Sequence, residues 1–145
     1  MKIKLFAIAL AALSLIACEK TPEPIVPEEA DYVGTVTVES SAGPVENVGA
    51  RVEFTPYEDG TAELTLYEIS FHPRMPMKVD VTIPGLLMTC TPQKIILTGD
   101  DIVPFALGGP FTNYTVTELR AEIIGNKMTL NLKFGGTPTS FVGEK

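Results

Sequence analysis

The chain has 145 residues, room for one domain, and carries 11 basic against 18 acidic side chains for a formal charge of −7. That acidic excess argues against nucleic acid or an anionic bilayer surface as a charge-driven partner. Two cysteines are too few for a disulfide scaffold, and a single histidine is too few for a histidine-built metal centre.

Lys2 and Lys4 precede residues 5–17, which are apolar apart from Ser14, and Cys18 follows. As a helix those thirteen residues would span roughly 20 Å, short of the about 30 Å hydrocarbon core of a bilayer. The pattern is that of a secretory signal rather than a membrane span. Leu15-Ile16-Ala17-Cys18 resembles the bacterial lipobox, which implies cleavage before Cys18 and acylation of its thiol. Residues 1–17 are thus expected to be a lipoprotein signal peptide and Cys18 the lipid-attachment site. Several acyl chains hold a protein firmly, each buried methylene contributing about 0.8 kcal/mol. Loss of Lys2 and Lys4 leaves nine basic against 18 acidic residues, a charge of −9.

Residues 19–30 hold Pro22, Pro24 and Pro27 with four glutamates and no hydrophobic period. With Cys18 they read as a lipidated N-terminus and flexible tether (18–30), extending about 35–40 Å if fully solvated. Residues 31–145 form the domain.

Beyond Asp31 the pattern becomes alternation, the mark of half-buried strands. Val36 and Val38 lead, followed by Val48, Ala50, Val52 and Phe54 on one face of a second run. Leu64 and Leu66 continue, with a phase slip near Tyr67 that predicts a bulge before Ile69 and Phe71. Val79, Val81 and Ile83 form the next run, and 85–91 and 94–98 are read as two more strands. Leu119, Ala121 and Ile123, then Met128, Leu130, Leu132 and Phe134, complete the set. Turn signals separate the runs, including Gly43-Pro44, Asp59-Gly60, His72-Pro73, Pro84-Gly85, Gly99-Asp100 and Gly108-Gly109-Pro110. Gly125-Asn126 suits a primed two-residue hairpin. About eight one-sided antiparallel strands must close as a barrel or stack as a sandwich.

Several motifs resemble the calycin-like, lipocalin-related lipoprotein domains of Gram-negative bacteria. They are the Tyr32-Val-Gly-Thr-Val-Thr-Val opening, the Pro44-Val45-Glu46-Asn47 return, and the hairpins beginning at Asp59 and Gly125, which together span most of 31–134. The resemblance implies an all-β, up-and-down antiparallel barrel of about eight strands at the outer membrane. It also implies non-catalytic binding of a small apolar or amphipathic ligand. A solid-packed accessory lipoprotein docking on an envelope protein partner is the alternative. The lipocalin signature places a tryptophan near the first strand, and this chain has none.

No residue pattern supports catalysis, a metal or a cofactor. His72 lies in a Phe-His-Pro-Arg turn without a second ligand, and Asp100-Asp101 reads as a solvated turn rather than a calcium site. Ser40, Ser41 and Ser140 lack a nucleophile-elbow context, and Gly108-Gly109 and Gly135-Gly136 lack the lysine of a phosphate loop. Glu58-Asp59 are neighbours on one turn, not acids across a cleft. Cys90 reads as an inert, buried thiol. Met75 and Met77, with Phe105 and Leu107, read first as ordinary edge packing, and alternatively as an apolar lip or contact patch beside the barrel mouth.

Overall fold

The computed structural model describes residues 22–75 and 77–145; Cys18 and the signal segment lie outside them. Ten strands are present among the described residues: β1 (Ala30–Ser40), β2 (Gly43–Pro56), β3 (Thr61–Ile69), β4 (Val79–Cys90), β5 (Ile95–Gly99), β6 (Phe105–Ala106), β7 (Gly109–Pro110), β8 (Val116–Ile124), β9 (Lys127–Phe134) and β10 (Thr137–Glu144). Eight of them pair antiparallel in chain order, β1 through β5 and then β8 to β10, and β10 returns to β1. The sheet is therefore a closed eight-stranded barrel, as the alternation and the resemblance led us to expect. The small β6–β7 hairpin hangs on β4 through Thr82 and Phe105.

Two expectations fail in ways that cancel in the strand count. Pro84-Gly85 is not a turn. Leu64 faces Ile83 and Ala62 faces Leu86, so Pro84 and Gly85 together oppose the single residue Glu63. This is a bulge: Gly85 takes φ +69°, and Pro84, lacking an N–H, is tolerated where the ladder is interrupted. The segments around residues 78–83 and 85–91 are accordingly one strand, β4. The eighth strand lies beyond the last clean alternation. Gly135 and Gly136, at φ +54° and +85°, form a two-residue turn of type I′ between Phe134 and Thr137. β10 follows, poor in apolar residues, with Thr139, Phe141 and Gly143 facing inward.

The hairpin at Gly125-Asn126 is as expected, with Ile124 paired to Lys127 and Gly125 at φ +59°. The predicted bulge past Leu66 is also present, at Glu68 with φ +52°. Val48, by contrast, points outward and is 80% exposed, while Ala50, Val52 and Phe54 are buried. Gly49, at φ +73°, reverses the phase of β2 between them.

Barrel closure depends on two facing glycines. Gly34 on β1 pairs with Gly143 on β10, at the point where the register against β2 shifts past the extra residue Gly49. A Cβ on Gly34 would lie 1.9 Å from the Val142 carbonyl oxygen and 2.5 Å from Gly143 Cα. Only glycine lets the two backbones come this close.

The interior is filled. Val36, Val52, Leu64, Leu66, Ile83, Leu86, Leu97, Met128, Leu130 and Phe141 all have no accessible surface, so no water-sized space adjoins them. Tyr32, Phe54 and Phe134 occupy the wider parts. One end, which we call the loop end, carries residues 70–75, 77–78 and 100–115. It is plugged by Phe71, packed 4.9 Å from Tyr114 and 5.1 Å from Phe134 between ring centres, with Phe111 a further 4.8 Å beyond Tyr114.

The opposite end carries the turns at 57–60, 91–94 and 125–126 and the entering chain. Here the tether differs from a solvated stalk. The Ile25 N–H donates to the Thr91 carbonyl at 2.9 Å, Ile25 packs against the core, and Pro27 is buried. The cause is composition: Ile25-Val26-Pro27 is the one apolar patch in an otherwise Glu/Pro-rich stretch, and the open barrel end offers apolar surface to cover.

The outer wall is charged at mid-strand. Arg51, Glu53, Arg120, Glu122 and Lys133 all point outward, with Lys133 2.7 Å from Glu118 and Lys94 hydrogen-bonded to Glu122. A membrane-spanning barrel instead carries an apolar outer band about 25 Å tall. This wall faces water.

The Lys94 hydrogen bond, with charge from Lys94 and Arg120, holds the Glu122 carboxyl below its usual range despite some desolvation. A depressed folded-state value stabilises above the unfolded carboxylate range, and the effect fades as pH falls through the folded value. The melting-temperature gap between wild type and Glu122→Gln should therefore be present at neutral pH and shrink on acidification, as thermal scans across pH will show.

Candidate functional site

The ladder between β2 and β3 runs only from Pro56–Ala62 to Val52–Leu66. Beyond it the strands separate. Gly49 bends β2 on one side, and on the other the Glu68 N–H turns to the Asp80 carboxylate of β4, which accepts it at 2.9 Å. The wall closes again through one side chain. Asn47 Oδ1 accepts the Ser70 N–H at 2.9 Å, and its Nδ2 donates to the Ser70 carbonyl at 3.1 Å and the Val36 carbonyl at 3.3 Å. The side-chain amide thus satisfies both backbone groups of Ser70 in place of a strand neighbour, and Asn47 is itself buried.

The split leaves a groove of about 480 Å³ on the outer wall, lined among others by Val48, Arg51, Tyr67, Glu68, Lys78 and Asp80. The Arg51 guanidinium carbon lies 3.8 Å from the Tyr67 ring centre, and Arg51 also reaches Asp31 at 3.4 Å. The Tyr67 hydroxyl donates to Glu53 at 2.6 Å, and that bond raises the tyrosine pKa, with burial adding to it. The groove therefore offers a stacked cation, a lysine, two carboxylates and an apolar rim at Val48. Such a surface can hold a partner by charge and backbone contact; it contains no nucleophile paired with a base.

A second tyrosine–glutamate pair marks the tether end. Tyr57 donates to Glu63 at 2.5 Å, and this bond first, then burial and nearby carboxylates, push the Tyr57 hydroxyl up to about 12. In an alkaline absorbance titration the last-ionising tyrosine should disappear in Tyr57→Phe. Persistence of that late step would reassign it.

The other candidate residues resolve into structural parts. His72 Nδ1 accepts the Arg74 N–H at 3.1 Å and so caps its own turn. Asp100 accepts the Glu118 N–H at 3.0 Å, repeating the Asp80–Glu68 device at a second bulge where Glu118 has φ +53°. Asp59 accepts both the backbone and hydroxyl hydrogens of Thr61, closing the turn that also holds Glu58. Ser40 donates to the Gly43 carbonyl, Ser41 is exposed in the turn beside it, and Ser140 lies in the β9–β10 ladder. Leu107 and Gly108, at φ +53° and +82°, form the β6–β7 turn, and Gly109 opens β7. Cys90 is half-buried at the end of β4, where burial raises its thiol pKa. Among the described residues, no group of three or more His, Cys, Asp or Glu side chains could hold a metal ion. Met75 joins the core, its sulfur accepting the Phe71 N–H at 3.3 Å, whereas Met77, Phe105 and Leu107 stay exposed. The mouth they would guard is filled by the aromatic plug.

Asn47 is the residue that sequence reasoning missed. Its signal was the phase break at Gly49, which places Asn47 rather than Val48 on the inward face.

No protein-family model matches the chain, and no curated protein matches it. Among solved structures, the fold is similar to the crystal structure of a "putative outer membrane protein" from Bacteroides fragilis NCTC 9343. The TM-score is 0.55 and the identity 19%, over 81% of this chain and 50% of that one. The chain thus spans about half the length of that protein, and the likeness is one of fold.

Proposed function

We propose that this protein is an outer-membrane lipoprotein, anchored through acylated Cys18, whose calycin-like barrel works by contact through its outer wall and catalyses no reaction. The observation that carries this reading is the filled interior. Side chains without accessible surface occupy the space that a small apolar ligand would need, which favours the docking alternative over enclosure of such a ligand. The groove at the β2–β3 split is the proposed contact site, because it combines charge of both signs with two strand edges that lack a ladder partner. The outer-membrane name of the structural neighbour agrees with an envelope location.

Two experiments test the reading. Cys18→Ala should abolish incorporation of labelled fatty acid and release the protein from membranes; unchanged membrane association would overturn the anchor. A photo-crosslinking residue at Val48, on the groove rim, should capture one dominant envelope protein in cells. The same residue at exposed Thr129, on β9, should not. Equal yields at both sites would remove the groove as the contact.

A further inference from the structure

The strap at Ile25–Pro27 has a geometric consequence, which rests on the Cys18 anchor proposed above. Because Ile25 is fixed to Thr91 at the barrel's edge, only six residues separate it from Cys18. Fully extended they reach about 20 Å. The acylated end and the tether end of the barrel therefore stay close, and the loop end is kept farther away by the length of the barrel.

Exposed apolar side chains occur at both ends, Met77, Phe105 and Leu107 at the loop end, but only those of the tether end lie within reach of the anchor. Val26 on the strap is 61% exposed and Ile124, at the hairpin tip, 57%. Val26 borders the same depression as Gly125 and the C-terminal Lys145, so strap and hairpin tip are neighbours on one floor. Leu87, which faces Thr61 at the start of β3, and Val33, which faces Glu144, add exposed apolar side chains on the wall just above. Farther up the wall Arg51, Glu53, Arg120, Glu122 and Lys133 face outward, beside exposed Val48 and Val142.

We infer that this floor rests on the bilayer that carries the acyl chains, with Val26 and Ile124 seated in its headgroup layer. Covalent anchoring makes the contact intramolecular, so two apolar side chains at high effective concentration are enough to orient the barrel. Glu28, Glu29, Glu58, Asp59 and Glu144 lie at this end together with Lys94, Lys127 and Lys145, a mixture of both charges that makes a zwitterionic surface the fitting one. The barrel then stands upright, with the plugged loop end turned away from the membrane.

The chain has no tryptophan, so a single one reports its own surroundings. Full-length protein, processed and acylated in cells, would be prepared as Ile124→Trp, Val26→Trp and Phe105→Trp and placed in vesicles of brominated phosphatidylcholine. Phe105 lies on the loop-end half, paired with Thr82, and is half-exposed. Emission from the Ile124→Trp and Val26→Trp proteins should be strongly quenched and blue-shifted relative to unbrominated vesicles, and that from Phe105→Trp unchanged. Protein that floats with the vesicles yet shows equal, weak quenching at all three positions would overturn the docking and leave the anchor standing. Protein that fails to float would overturn both.

Discussion

Gly34→Ala should cost the barrel about 3 kcal/mol or more, out of a total stability of about 5–15 kcal/mol for a domain of this kind. The new methyl carbon would meet the Val142 carbonyl oxygen at 1.9 Å and the Gly143 backbone at 2.5 Å. Neither is the end of a flexible side chain, so relief requires moving β1 away from β10. That pair is the seam at which the last strand closes on the first. Gly109→Ala is the matched control: it has no positive φ and nothing within 4 Å of the added carbon. Urea unfolding of both variants should show a large loss for the first and little change for the second. Comparable stability of the two would mean that the seam is looser than described.

Asn47→Ala should be the second most damaging change, at about 3 kcal/mol, because it strands the Ser70 N–H and two backbone carbonyls near the core. Asn47→Asp is the sharper test. It is isosteric and keeps an acceptor for the Ser70 N–H, but it sets a carboxylate against the Ser70 and Val36 carbonyls. Asp should therefore rescue nothing. Hydrogen exchange at Ser70 should accelerate in both variants while amides in the β8–β9 ladder keep their protection. If Asp restored wild-type stability, Nδ2 would not be holding the wall together.

These two positions also show where the sequence was readable. Alternation in β3, β4, β8 and β9, and in β2 from Ala50 onward, identified the inward residues correctly, since a two-residue period with one buried face leaves few other arrangements; only Val48, before the Gly49 phase break, was placed on the wrong face. The Glu68 bulge was visible as a change of parity after Leu66. The Pro84-Gly85 pair was misleading, because the same residues that make turns also make bulges, and only the partner strand decides between them. β10 was hidden for a different reason: its inward positions are Thr139, Phe141 and Gly143, too few apolar residues to mark a face. Gly34 and Gly143 gave no local sign of the seam, because a close approach between residues more than a hundred apart is a property of barrel closure. The tether illustrates the same limit. Ile25 and Pro27 sit in a composition that favours solvation, and their packing depends on an uncovered barrel end that no local window contains.

The filled interior, the charged wall and the strapped tether support the proposed reading of a body that acts through its surface while lipid holds it in place. Native mass spectrometry of the protein released from cell membranes tests that account most directly. Apart from acyl chains on Cys18, the account predicts the bare polypeptide mass with no small-molecule adduct. A stoichiometric apolar ligand that survives desalting and departs only on unfolding would contradict it, because it would require space that the packed core does not leave.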